Sequence, residues 1–176
     1  MRYYVLAVGL AGLAVLVFAG ITWNISVNLS LLFFTLLACI FALFPVSLGK
    51  DRELVFIIPL TLTVIATDGP FAGVLATFVA IVVFQVVHRR PLQKAVFNAG
   101  SFTLEAAGVA LAFVLLGQRA GTPLSTYLAV VLFIMAFVGY VINAALLLGL
   151  LSFLEPDNMR QHLRLAMVDL KQTPFE

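Results

Sequence analysis

The chain has 176 residues, of which 63% are hydrophobic and only 10% charged, with a mean hydropathy of +1.15. A soluble domain carries about 25% charged residues, and one water-exposed fold of this size has no way to hide so much apolar surface. The net charge of +2 is too small to suggest a nucleic-acid partner, and the single cysteine, Cys39, excludes an internal disulfide and reads as a small buried hydrophobe.

Composition therefore predicts an all-α integral membrane protein with the lipid bilayer as its solvent. Six helices of about 20 residues would use about 120 residues, leaving short loops and a tail but no room for a soluble catalytic domain. The first apolar run, Tyr3–Ile21, is long and no clear small-x-small cleavage site precedes polar sequence, so it reads as a span and not as a signal peptide. The second run is Leu29–Leu48. The third, Leu54–Ala66, covers only about 20 Å as a helix. It either borrows Glu53 and Thr67 to cross, or forms a half-span hairpin with the fourth run, Phe71–Val87, across Asp68-Gly69-Pro70. At that turn Asp68 is expected to cap the fourth helix, with Pro70 just inside it. Pro45 and Pro59 are expected to kink their spans. The fifth and sixth runs are Ala95–Leu116 and Tyr127–Leu154. Small residues form stripes at Gly69, Gly73, Ala76 and Ala80, and at Ala7 and Ala11, spacings that let helix backbones approach closely in lipid.

Charge placement tests the number of crossings. With the N-terminus inside and strict alternation, Arg2, Lys50, Arg52, Arg89, Arg90, Lys94, Arg160, Arg164 and Lys171 fall on the inner side and Arg119 alone falls outside. Removing or adding a crossing spoils this split, so the positive-inside rule favours a six-transmembrane-helix bundle in the inner or plasma membrane with both termini cytoplasmic. Tyr3, Tyr4, Trp23 and Tyr127 lie near span ends, where amphipathic rings anchor at headgroups. Residues 1–156 form this six-span domain. Beyond Glu155-Pro156-Asp157, Met159, Leu163, Ala166, Met167 and Leu170 recur at helical spacing, so 157–176 reads as a C-terminal amphipathic surface helix or a connector. The closing Thr173-Pro174-Phe175-Glu176 does not read as a convincing chain end.

Glu105 is the most informative residue. It lies about ten residues into the fifth span from Lys94, so roughly 15 Å deep, where a carboxylate is costly and faces the bundle interior or a wet cavity. Asn98 and Ser101 precede it by seven and four residues and share its helix face. Asn143 reaches a matching depth in the sixth span. These four residues are the candidate ligand-binding set. Two readings stay open: a ligand or ion site, or a carboxyl bonded to Asn143 as interhelical glue. Thr61, Thr63 and Thr77 are expected to bond their own helix carbonyls, Gln85 to be solvated near the inner interface, and His88 and His162 to sit at the inner surface, with no metal or cofactor implied. No His-Glu-x-x-His, Gly-x-Ser-x-Gly or glycine-rich phosphate loop is present, so no enzyme is expected.

The stretch Asp68-Gly69-Pro70-Phe71-Ala72-Gly73, a long apolar span, then His88-Arg89-Arg90-Pro91-Leu92-Gln93-Lys94-Ala95-Val96-Phe97-Asn98-Ala99 resembles the N-terminal membrane module that precedes HD-GYP or GGDEF domains in bacterial signalling proteins. Tyr140-Val141-Ile142-Asn143 is similar to that family's aromatic-x-x-asparagine element. The resemblance covers about two thirds of the chain and implies roles for Asn98 and Asn143, but not for Glu105, where those modules are often small or apolar. It implies a non-catalytic sensory or anchoring unit that binds a small ligand and couples to a cytoplasmic output domain. In outline, and in the Ala7/Ala11 stripe, the chain is also similar to substrate-binding subunits of energy-coupling-factor transporters. That likeness implies a vitamin-like ligand and an ATPase partner. A homodimer is compatible with either.

Overall fold

The computed structural model describes residues 1–23, 28–44, 46–47, 53–54, 57–123 and 125–154. The segment 157–176, Pro45 and His162 lie outside the described residues. Six helices follow in chain order: α1 (Arg2–Thr22), α2 (Leu29–Leu43), α3 (Ile58–Asp68), α4 (Pro70–Val87), α5 (Leu92–Leu115) and α6 (Thr126–Leu154). Between α2 and α3 a two-residue antiparallel ladder sets Val46 opposite Leu54 and Ser47 opposite Glu53. Four helices, α1, α4, α5 and α6, are long and apolar enough to cross a membrane. This is a helical membrane protein. The other two, α2 and α3, have 15 and 11 residues, about 22 and 16 Å of helix against a hydrocarbon core of about 30 Å.

Local chemistry sets the ends. Asn28 caps α2 by accepting from the Leu31 N–H at 2.7 Å, which satisfies one of the orphan donors of a helix start. Pro59 sits in the first turn of α3, where its missing N–H would be unpaired in any case, so it opens that helix and does not kink it. Asp68 is the last residue of α3, and α4 starts from Gly69 with no side-chain cap. The expected capping role is corrected: Gly69 turns the chain at φ +102°, a conformation open to glycine, and Asp68 is left facing backwards.

Consecutive helices run antiparallel. At one end Val5 and Val8 of α1 pack with Phe97 of α5, and the Tyr4 hydroxyl donates to the Leu146 carbonyl of α6 at 2.9 Å. At the other end Trp23 packs against the cluster that holds Phe113 and Leu128. Met1, the α4–α5 turn and Leu154 therefore share one end of the bundle. The central helix is α5, which packs on α1, α4 and α6, while α4 carries α2 and α3 on its far side. The small stripe on α4 is a contact face: Gly73, Ala76 and Ala80 are buried. The stripe on α1 is not. Ala7 and Ala11 are exposed, and α1 meets α5 through Gly9 and Gly12. A Cβ on Gly12 would lie 2.6 Å from the Gly100 Cα and 2.7 Å from its carbonyl oxygen, so the two backbones touch there.

A side chain at this crossing forces the helices apart. Gly100→Ala is expected to destabilise the protein in detergent by about 1–3 kcal/mol through overpacking, and Ala11→Leu by no more than about 0.5 kcal/mol. Thermal melting of the two variants checks both; a Gly100→Ala protein that melts with the parent would remove the α1–α5 contact as a constraint.

Candidate functional site

Glu105 lies mid-helix on α5 and is 4% exposed. It borders a cavity with about 10 Å³ of space for a water-sized sphere, lined also by Thr61 of α3, Thr77 of α4, Phe102 and Val109 of α5, and Ile57. That volume suits about one water molecule. Among the described residues neither carboxyl oxygen has a hydrogen-bond partner. A buried carboxylate without a donor is expensive, so this one needs a proton, a cation or a donor in the cavity. On its other side the carboxyl meets α6 at Gly139, where a Cβ would stand 3.2 Å from Oε1. Glycine is what lets the α6 backbone come this close.

Across the cavity the hydroxyls of Thr61 and Thr77 are 2.6 Å apart. Thr61 also reaches the Ile57 carbonyl at 3.1 Å, and Thr77 the Gly73 carbonyl at 2.8 Å. Each hydroxyl owns one proton, so two protons serve three contacts. One hydroxyl must donate to the other, and one carbonyl loses its extra bond. Both hydroxyls lie within bonding distance of their own helix carbonyls, as their residue type predicts, and Thr63 donates to the Pro59 carbonyl.

The predicted site residues do not all meet. Ser101 is buried but donates to the Asn98 carbonyl of its own helix at 3.2 Å. Asn98 and Asn143 are half-buried, and neither side chain makes a hydrogen bond among the described residues. The bond from Glu105 to Asn143 is not formed; Asn143 sits one turn along α6 from Gly139. Sequence reasoning set Thr61 and Thr77 aside as self-bonded. A signal for them existed. Each lies eight residues from Gly69, and a helical hairpin turning at that glycine brings equidistant residues level.

Two other polar residues depart from expectation. The carboxylate of Asp68 accepts from Asn28 Nδ2 at 2.9 Å, Ser30 Oγ at 2.9 Å and Thr67 Oγ1 at 2.7 Å, tying the start of α2 to the α3–α4 turn. Gln85, expected in solvent, is 4% exposed with neither amide atom partnered among the described residues. It shares a covered face with Phe84 while Val86 and Val87 are exposed; the helix face, not the depth, decides its burial. His88 closes α4, with Nδ1 3.1 Å from the Phe84 carbonyl and its ring 4.4 Å from the Phe84 ring.

No family model, curated protein or solved structure matches this chain. Two substitutions separate bonded from unbonded polar groups. Asp68→Ala leaves Asn28 and Ser30 without their acceptor, while Thr67 keeps the Thr63 carbonyl at 2.9 Å, and is expected to cost about 1 kcal/mol, whereas Asn143→Ala removes no hydrogen bond among the described residues and is expected to stay within about 0.5 kcal/mol. Denaturation in detergent measures both. A large loss at Asn143 would show that its amide ties helices after all.

Proposed function

We propose that this chain is a non-catalytic sensory or anchoring membrane module that holds a small ligand at Glu105 and passes its state to a cytoplasmic output. One observation carries the reading: a carboxyl in mid-bundle is buried beside a water-sized cavity with no partner among the described residues. Packing gains nothing from such a group, and an ionisable residue at this depth is by default a functional one. Its cavity supports a ligand about the size of a water, far below the roughly 300–1,000 Å³ of drug-sized sites. The transporter-subunit reading has one observation in its favour. Ala7 and Ala11 are exposed along α1, leaving a small-residue stripe open to a partner helix.

The six-span topology belongs to the same proposal. Both described ends lie with Arg2, Arg89, Arg90 and Lys94 at one end of the bundle, and Arg119 lies at the other, so the positive-inside rule puts N and C in the cytoplasm. The pair of short helices, α2 and α3, decides the number of crossings. Ile57 packs with Ile81 and Phe84, which brings the start of α3 to within about two turns of the end of α4 at Val87. Lys50, Asp51, Arg52 and Glu53 call for water where α2 returns to α3. A re-entrant α2–α3 pair would leave every other loop on the same side, so only this connection discriminates.

With Cys39 replaced by Ser, single cysteines at Gln93, Ala120 and Ser47 are to be labelled with an impermeant maleimide. Ala120→Cys is expected to label in intact cells, and Gln93→Cys and Ser47→Cys only in inverted vesicles. Ser47→Cys protected from both sides would mean four spans and a re-entrant pair. The functional half of the proposal is read with Glu105→Gln, which should fold and insert normally yet silence the output. An output indifferent to Glu105→Gln removes Glu105 as the sensing group.

A further inference from the structure

Resting on the reading just given, we propose that the ligand at Glu105 is a proton, held between the carboxyl and the Thr61–Thr77 hydroxyl pair through one water in the cavity. The cavity supplies the first argument. Its volume of about 10 Å³ admits one water and no organic ligand. Hydrogen-bond inventory supplies the second. With one hydroxyl proton engaged between the two threonines and the other on a helix carbonyl, the threonine pair offers lone pairs to the cavity. An ionised carboxylate also offers only lone pairs. A carboxylate and an acceptor-only threonine pair bordering one largely apolar pocket are mismatched, and a protonated carboxyl with its O–H turned toward the pair, directly or through the water, resolves the mismatch.

Charge supplies the third argument. The helices packed on α5 bring no ionisable group to Glu105. Among the described residues α1 carries Arg2, Tyr3 and Tyr4 at one end; α3 carries Asp68 at the other; α4 carries none. Lys94 of α5 lies at the helix start, Tyr127 of α6 at the opposite end, and Tyr140 is 38% exposed beside the buried Gly139. Among the described residues no arginine or lysine lines the cavity to neutralise the carboxylate. A divalent cation asks for about six or more oxygens, whereas the side chains of Thr61, Thr77 and Glu105 offer four among apolar walls. A proton is the species that needs no shell.

The step is simple acid–base exchange: a proton arriving on water forms the O–H bond of Glu105, and its return to water restores the carboxylate. Proton occupancy also acts on the hairpin. The threonine pair has two arrangements, one leaving the Ile57 carbonyl of the α3 start and the other the Gly73 carbonyl of α4 without a hydroxyl. Occupancy of Glu105 biases which is taken.

The test is infrared pH-difference spectroscopy on the full chain in lipid nanodiscs, titrated in sodium, potassium and choline salts. A carboxylic-acid C=O band that titrates, disappears in Glu105→Gln, shifts in Thr77→Val and stays in place in Thr77→Ser, identically in all three salts, is the expected result. Should Thr77→Val not fold, Thr61→Val supplies the same arm. No titrating band lost with Glu105→Gln overturns the proposal, and so does a band that sodium or potassium abolishes at constant pH, which assigns the site to a cation. The spectrum needs no output domain. A normal band with an output blind to Glu105→Gln sinks the sensory reading alone, and a missing band with a sensitive output sinks the proton alone.

Discussion

In lipid the hydrophobic effect does not press one helix against another, and association rests on close packing and on hydrogen bonds. The contact on which this bundle depends is the crossing of α1 and α5, where Gly12 and Gly100 leave so little space that a Cβ on either would enter the opposite backbone. That crossing fixes the rotation of α5. The rotation in turn decides which residues of the central helix look inward, and it sends Glu105 toward α3, α4 and Gly139 instead of toward lipid. A rotation by one residue, about 100°, would send the carboxyl elsewhere and turn an apolar neighbour such as Leu104 toward the cavity.

Buried polar groups then divide by level along the bundle. At the α3–α4 turn the polar groups have partners: Asp68 lies within bonding distance of Asn28, Ser30 and Thr67, and the Gly121 N–H reaches the Ala66 carbonyl at 2.8 Å. This end is a clasp that holds α2, α3 and the α5–α6 loop together. In the middle the balance fails, with two threonine protons for three contacts and a carboxyl without a donor. A half-satisfied polar network is worse for stability than an apolar core. Its presence among well-packed aliphatic side chains is therefore the feature that folding alone does not explain.

Much of the helix count was legible because length and hydropathy are one-dimensional properties. The expected runs Tyr3–Ile21, Phe71–Val87 and Tyr127–Leu154 agree with α1, α4 and α6 to within a residue. The second run overshot, since α2 ends at Leu43 while apolar residues continue to Leu48; hydropathy does not register where a helix stops if the loop is also apolar. Rotation about the helix axis was less legible. In spans that are apolar all round, periodicity marks no inner face, so Ala7 and Ala11 were assigned to a contact that Gly9 and Gly12 make. For the same reason equal depth brought Asn143 to the level of Glu105 without bringing the two side chains together. The threonine pair was written in the symmetry of the hairpin about Gly69, a relation between helices that reading each span alone passes over.

The placement of α6 bears on how a change at Glu105 could leave the bundle. This helix touches the carboxyl through Gly139 and then runs on to Leu154, about 22 Å further along its axis. There it meets the start of α1, where Tyr4 binds the Leu146 carbonyl and packs on Phe153. Much of α6 faces outward, with Phe133, Phe137 and Val141 exposed, so its motion is opposed by fewer interlocked neighbours than that of α5. Movement needs a two-state element at its origin, and the threonine pair with its two proton arrangements supplies one beside the same carboxyl. Because Gly139 has no side chain to buffer the contact, any repositioning of Oε1 acts directly on the α6 backbone. The helix whose backbone meets the Glu105 carboxyl at Gly139 is thus the one that continues into the chain beyond Leu154.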